Sequence, residues 1–172
     1  MSRYTVRQVD DLDQGQLEGL AEVLIDCVDG GASVSFMHPL SPAKALAFWR
    51  QVAQGVASGA RVLLLAEDDS GIIGTVQLVL EQPENQPHRA DLSKMLVHRR
   101  ARRLGVGAAL MAAAEDAARR AGKTLLVLDT ASDEAERLYA RAGWMLAGVI
   151  PDYALLPHGG LCATSVYYRK LA

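Results

Sequence analysis

Apolar residues return along this chain at two spacings, and the spacings divide it into elements. Tyr4, Val6 and Val9 predict a short strand over Tyr4–Val9. Leu17, Leu20, Ala21, Leu24, Cys27 and Val28 then recur three and four apart, the buried face of a helix that runs from a cap at Asp13 to about Val28 and ends at Gly30-Gly31. Ser41-Pro42 places a cap residue before a proline and opens a second helix. Its buried face is Leu46, Trp49, Val52, Ala53 and Val56, and Gly59 stops it. Val62–Ala66 is almost wholly apolar, a strand covered on both faces. Asp68-Asp69-Ser70-Gly71 makes a hairpin turn into a partner strand, Ile72–Leu80. Gln82–His88, with two prolines, predicts a loop, and Ala90–Val97 a strand.

A third helix starts near Val106, with Val106, Leu110, Ala113, Ala114, Ala117 and Ala121 as its apolar stripe. Glu115, Asp116, Arg119 and Arg120 are expected on its opposite side, and Gly122 closes it. Lys123–Leu128 predicts a buried strand ending at Asp129. A short helix follows over Asp133–Ala142, where Asp133 and Glu136 stand at capping-box spacing. Trp144–Ile150 predicts a strand, Pro151–Gly160 a loop, and Ala163–Arg169 a last strand with Tyr167 and Tyr168 on opposite faces. The chain therefore reads as a mixed α/β (α+β) protein of seven strands and four helices. No repeat or linker divides it, so residues 1–172 are expected to form a single domain.

Composition narrows the class. The chain has 172 residues, 50% of them hydrophobic and 22% charged, as in ordinary globular proteins. Its net charge of −2 gives no global attraction to nucleic acid or to an anionic membrane. No apolar run reaches membrane-spanning length, and the opening Met-Ser-Arg-Tyr carries no secretory pattern, so a cytoplasmic protein is expected. Cys27 and Cys162 lie in apolar surroundings and read as reduced core cysteines. His38, His88, His98 and His158 show no ligand spacing, and no metal site is expected.

The candidate chemistry gathers in Arg89–Gly122. There a strand runs into the basic stretch Arg99, Arg100, Arg102 and Arg103, then Gly105-Val106-Gly107, then a helix. The first N–H groups of a helix have no internal partner, and the helix dipole adds positive charge there. Glycines let a phosphate approach the main chain, and the arginines add charge, so a phosphate or pyrophosphate ligand is expected. Leu110 stands where the dinucleotide fingerprint needs its third glycine, and no G-x-x-x-x-G-K-[ST] is present.

Arg102-Arg103-Leu104-Gly105-Val106-Gly107 instead resembles R/Q-x-x-G-x-G/A, the pyrophosphate loop of the GNAT (Gcn5-related N-acetyltransferase) superfamily, which grips coenzyme A. Ser132–Trp144, S-D-E-A-E-R-L-Y-A-R-A-G-W, resembles that superfamily's second signature, N-x-x-A-x-x-L-Y-x-x-x-G-F. Ala135, Leu138, Tyr139 and Gly143 match, Trp144 replaces the aromatic, and Ser132 stands in place of Asn. The order of elements is also the superfamily's over nearly the whole chain.

The resemblance implies a twisted sheet splayed into a V between the fourth and fifth strands. Acetyl-CoA would be the co-substrate, with no metal. Its pantetheine would pair with main-chain groups around Met95, Leu96 and Val97, and Ser132 could add a hydrogen bond. Its pyrophosphate would rest on Arg102, Arg103, Leu104, Gly105, Val106, Gly107 and Ala108.

The implied reaction is acetyl transfer to a primary amine by direct attack in a ternary complex. The amine must lose a proton near pKa ~10.4, which costs about 4–5 kcal/mol at neutral pH. A positioned base relieves part of that cost. The resemblance makes Tyr139 the acid that protonates the leaving thiolate. Two carboxylates are candidate bases. Asp129 ends the fifth strand, and Asp91 occupies the position of an acidic residue that serves as base in some members.

A closer likeness rests on G-G-A-S-V-S-F-M, L-V-L-D-T and C-A-T-S-V-Y-Y-R-K-L. It is to a branch that acetylates a toxic β-lactam amino acid with an aspartate and a tyrosine at the positions of Asp129 and Tyr139. The expected acceptor is thus a small molecule, such as a toxin, an antibiotic or an amino-acid-like compound. Val34, Phe36 and Met37 of the loop Gly30–Leu40 are expected to wall its pocket, and loop Pro151–Gly160 to vary it. The protein would be a monomer or homodimer without nucleic-acid or membrane partners. The alternatives are an acetyltransferase for protein N-termini or lysines and a non-catalytic acyl-CoA-binding module.

Overall fold

The computed structural model describes residues 4–172. Met1, Ser2 and Arg3, part of the N-terminal stretch read above for a targeting pattern, lie outside the described residues. The elements follow in the order β1 (Thr5–Val9), α1 (Gln14–Asp29), α2 (Pro42–Ala57), β2 (Arg61–Asp68), β3 (Gly71–Val79), β4 (Arg89–Val97), α3 (Val106–Arg120), β5 (Leu125–Thr130), α4 (Asp133–Arg141), β6 (Met145–Leu155) and β7 (Leu161–Lys170). A 3-10 turn over Arg99–Ala101 precedes α3.

The seven strands form one mixed sheet in the order β1-β2-β3-β4-β5-β7-β6. All neighbours are antiparallel except β4 and β5. That parallel pair is short: Arg89, Ala90 and Asp91 pair with Leu125, Leu126 and Val127, and the ladder stops there. Beyond it the two strands part, which opens the expected V.

Two cores cover the sheet. On one face α1 and α2 bury Leu20, Leu24, Trp49 and Val52 against Leu63 and Leu65. On the other, α3 and the residues after it bury Leu110, Met111, Tyr139 and Trp144 against Leu64, Val76 and Leu126. The alternation within β2 feeds both cores, as its unbroken apolar run requires. The caps also follow the sequence. Asp13 forms a reciprocal capping box with Gln16, and Ser41 accepts from Lys44 N ahead of Pro42.

Three readings change. The cap of α4 is Ser132, whose hydroxyl accepts from Ala135 N, so Asp133 is the first helical residue rather than a capping-box member. Pro151–Gly160 is not all loop, because β6 continues to Leu155. Three residues, Pro151–Tyr153, bulge opposite Ala163 and pairing then resumes, with Ala154 opposite Cys162. A proline is tolerated there because β6 is the edge strand. Glu115 is buried, since Met111, Glu115 and Ala118 widen the inner face of α3. Among the described residues no helix is long and apolar enough to cross a membrane.

Candidate active site

The V holds a cavity of about 770 Å³, in the range of small-molecule and cofactor sites. Leu92–Val97 of β4 form one wall, and Leu128–Ser132, at and beyond the end of β5, form the other. The turn into α3 and the inner side of α4 floor it, and Gly30–Ser35 close it from the α1 side.

One end suits an anion. Gly105 caps α3 in the left-handed region at φ 81°, which favours glycine, and no side chain caps the helix. The first-turn N–H groups of Val106, Gly107 and Ala108 are therefore left for a ligand. A Cβ on Gly107 would stand 3.2 Å from Leu138 Cδ2, so a side chain there would crowd the contact between the two signature segments. Arg102 and Arg103 line this end.

The other two arginines of the basic run do not. Arg99 binds Asp26 through its backbone N–H (2.8 Å) and Nε (2.9 Å), and Arg100 Nη1 pairs with Asp68 at 3.1 Å. Burial opposes ionisation of Asp26, but the Arg99 N–H and guanidinium and nearby His98 together hold its carboxyl below the usual range. This pair locks the start of the loop to α1.

Along β4 the ladder slips. Lys94 and Met95 oppose the single residue Val76, and Lys94 takes φ 51°. Such a bulge leaves one residue outside the ladder and re-aims a side chain. Met95, Leu96 and Val97 follow it along the cavity wall. Lys94 Nζ donates to Ser35 Oγ at 3.2 Å and lies 5.7 Å from the centre of the Phe48 ring. Burial pulls its ammonium below the ordinary range, against the attraction of the Asp129 carboxylate, and Arg61 pushes the same way as burial.

Tyr139 is buried between Trp144 and Tyr167, with ring centres 5.9 and 6.0 Å away. Glu136 anchors α4 beside it by accepting from Ser165 Oγ (2.6 Å) and Tyr167 Oη (3.2 Å). Among the described residues the Tyr139 hydroxyl has no hydrogen-bond partner, and the residue lines the cavity. Burial first, and the Asp129 charge second, raise its pKa far above that of a free phenol. Asp129 accepts from Thr164 Oγ1 at 3.0 Å and faces the same cavity. A neutral phenol, a carboxylate and an anion cradle thus share one space.

Most sequence-predicted site residues meet here: Met95, Leu96, Val97, Arg102, Arg103, Gly105, Val106, Gly107, Ala108, Asp129, Ser132, Tyr139 and Val34 all line the cavity. Leu104 is 59% exposed and points away from the lining. Phe36 packs edge-on against Phe48 at 5.3 Å, behind the wall. Asp91 lies where β4 still pairs with β5, bound to Arg89 and to Gln82 Nε2 (3.2 Å), and does not reach the lining. Met37 is 44% exposed beyond the cavity.

Sequence reasoning missed Lys94. Its signal was the break in alternation after Leu92, where Met95, Leu96 and Val97 run together. Cys27 also lines the cavity, and burial pushes its thiol up to about 11, so it is an unreactive free cysteine, as is expected of a core position. Among the described residues no group of His, Cys, Asp and Glu is placed to hold a metal.

A splayed sheet whose cleft brings an uncapped helix start and a neutral phenol into one cavity suits acyl transfer. The chain matches the acetyltransferase (GNAT) family over residues 32–144 and belongs to that family. It is 32% identical over 133 residues, 75% of this chain and 76% of the other, to an uncharacterized N-acetyltransferase from the hisH-hisA intergenic region of Azospirillum brasilense. Its fold is that of a phosphinothricin acetyltransferase from Sinorhizobium meliloti solved with acetyl-CoA, at 19% identity and TM-score 0.80, covering 99% of this chain and 89% of that one. It is also that of a ribosomal-protein-alanine N-acetyltransferase from Brucella melitensis, at 19% identity and TM-score 0.81, covering 97% and 99%.

Proposed function

We propose that this protein, as one acetyltransferase domain, transfers acetyl from acetyl-CoA to the primary amine of a small molecule by direct attack in a ternary complex. The observation that carries the reading is Tyr139, a buried neutral phenol without a protein partner, facing the same cavity as Asp129 and the uncapped start of α3. Acetyl-CoA supplies an activated thioester. The N–H groups of Val106, Gly107 and Ala108, with Arg102 and Arg103, hold its pyrophosphate. The β4 wall at Met95–Val97 holds its pantetheine, and Ser132 can still donate its hydroxyl proton while its oxygen caps α4.

The residues then manage protons. Asp129, fixed by Thr164, accepts a hydrogen bond from the incoming amine or from a water that takes the amine's proton. The amine nitrogen bonds to the acyl carbon and the carbon–sulfur bond breaks. Tyr139 gives its proton to the leaving sulfur and regains one that came from the nitrogen, so of the two protons an ammonium nitrogen loses, one goes by way of Asp129 or water to solvent and one ends on sulfur.

The β-lactam-acetylating branch that the sequence resembles at Asp129 and Tyr139 is that of the tabtoxin resistance protein, and the phosphinothricin acetyltransferase shares the fold. Both likenesses favour a toxin, antibiotic or amino-acid-like acceptor. The place of action would be the cytoplasm. A second reading, acetylation of a protein N-terminus, is favoured by the likeness to the ribosomal-protein-alanine enzyme. Incubation with acetyl-CoA, a pooled amine library and N-terminal peptides, read by mass spectrometry, separates them. An acetylated small amine whose formation falls ~10²–10⁴-fold in Tyr139→Phe supports the first reading. Acetylated peptides alone support the second, and undiminished turnover by Tyr139→Phe refutes the acid assignment.

A further inference from the structure

The cavity contains a cation that acetyl transfer to a plain amine does not use. Its arginines, Arg102, Arg103 and Arg141, belong to the approach to α3 and to α4. Away from that cradle, on the two strand walls, stand one cation and one anion: Lys94 on β4 and Asp129 at the end of β5. Neither belongs to an ion pair among the described residues.

Lys94 is also built into place. Its left-handed backbone at the bulge is uncommon for a residue with a side chain, and it turns the side chain toward α2 and the loop after α1. There Ser35 Oγ receives one of its three N–H donors and the Phe48 ring takes its flank. The remaining donors have no protein partner among the described residues, although a half-buried ammonium is costly without one. Phe48 and Ser35 place this group on the α1–α2 side of the sheet, opposite the helices α3 and α4 that frame the phosphate cradle.

We propose that Lys94 binds an acidic group of the acceptor, so that the amine acetylated here also carries a carboxylate. This rests on the acetyl-transfer reading and sharpens it. Asp129 takes the acceptor's amine end and Lys94 its acid end, and two opposed charges on facing walls fix a zwitterion in one orientation. An amine of the same shape without the acid leaves the Lys94 ammonium half-buried and unpaired, which is the stronger basis for discrimination. In a peptide the first residue's α-carboxylate is consumed in the amide bond, so the same residue disfavours peptides without an acidic first side chain.

The test uses matched pairs: common L-α-amino acids, and for each the amine lacking the carboxylate. kcat/KM for acetylation and Kd in the presence of coenzyme A are measured for wild type, Lys94→Met and Lys94→Arg. The expected wild-type preference is at least ~10-fold for the acid-bearing member of a productive pair. In Lys94→Met that ratio falls toward one, while Lys94→Arg, which keeps the charge, restores part of it. A role in propping the loop would instead lower both members alike and leave the ratio standing. Wild type using both members equally, or a ratio untouched by Lys94→Met, overturns the proposal and leaves the acetyl-transfer reading intact. Acid-dependent binding that is lost in Lys94→Met but never accompanied by product sustains the proposal and refutes the reading. The absence of both acid-dependent binding and acid-dependent turnover across the pairs also overturns it.

Discussion

Replacing Glu115 by leucine tests whether one buried carboxylate holds the two halves of the site together. Glu115 lies on the inner face of α3 and is 8% exposed. Its Oε1 accepts from the Trp144 indole N–H at 3.2 Å and stands 3.7 Å from Arg169 Nε, and its Oε2 stands 3.6 Å from Arg119. Arg169 also donates from Nη1 to Gly143 O at 2.9 Å. The carboxylate thus ties α3 to the turn after α4, and so to the Trp144 ring packed beside Tyr139.

Without it the indole N–H is buried and unpaired, at about 1–3 kcal/mol. Arg169 Nε, already without a hydrogen bond, also loses its counter-ion. Breaking a buried pair costs about 3–5 kcal/mol, but the Arg169 side chain is 31% exposed and takes the low end. The two penalties overlap, so about 3 kcal/mol is expected. For a chain of this length that is roughly 6–12 °C in Tm. Glu115→Gln keeps an acceptor for the indole and should lose about 1 kcal/mol.

Urea unfolding followed by tryptophan fluorescence measures both. Turnover adds a second readout. The start of α3 lies roughly 14 Å along the helix from Glu115, so coenzyme A should bind Glu115→Leu within twofold of wild type while kcat falls as Tyr139 loosens. A Glu115→Leu protein within 1 kcal/mol of wild type would refute the reasoning.

Two further outcomes follow from the charges. Because burial and Asp129 raise the Tyr139 pKa, the acid keeps its proton throughout the working range. kcat/KM should then climb with pH as the amine deprotonates and show no tyrosine-dependent fall below pH ~10. A descending limb under pH ~9 that disappears in Tyr139→Phe would contradict this. Asp26, with its folded pKa lowered, contributes stability that is present above its unfolded value of ~3.9 and is lost as pH falls through the folded one. Asp26→Asn should therefore cost roughly 1–2 kcal/mol at pH 7, with the gap to wild type closing below pH ~4 in chemical unfolding. A gap that stays constant from pH 7 down to the acid limit of folding would place the effect elsewhere.

What the sequence could and could not reveal here follows from the range of the interactions concerned. Helix faces, caps and the glycine turn are local matters, set by residues three or four apart, and they were legible: Asp13, Ser41 and Gly105 do what their neighbours imply. The pairing of a glycine turn with a tyrosine helix was legible because both segments carry recognisable patterns. The failures are long-range or ambiguous in composition. Arg99 and Arg100 read as charge around a phosphate, yet their partners Asp26 and Asp68 lie 73 and 32 residues away, and nothing in the basic run marks which arginines are already engaged. Glu115 sits among alanines so uniform that the width of the buried face cannot be read from them, and only the folded position of Trp144 explains a carboxylate there. Pro151 argued for a loop, because a proline's cost in a strand depends on whether the strand is an edge, which is a property of the whole sheet. Lys94 combines both difficulties. Its bulge is visible only as a broken alternation, and its place in the cavity depends on Ser35 and Phe48 from two other elements. The residues proposed to bind what the family shares were thus the readable ones. The residue that would choose the acceptor is fixed by tertiary contacts, so specificity in this chain must be sought in the fold rather than in the signatures.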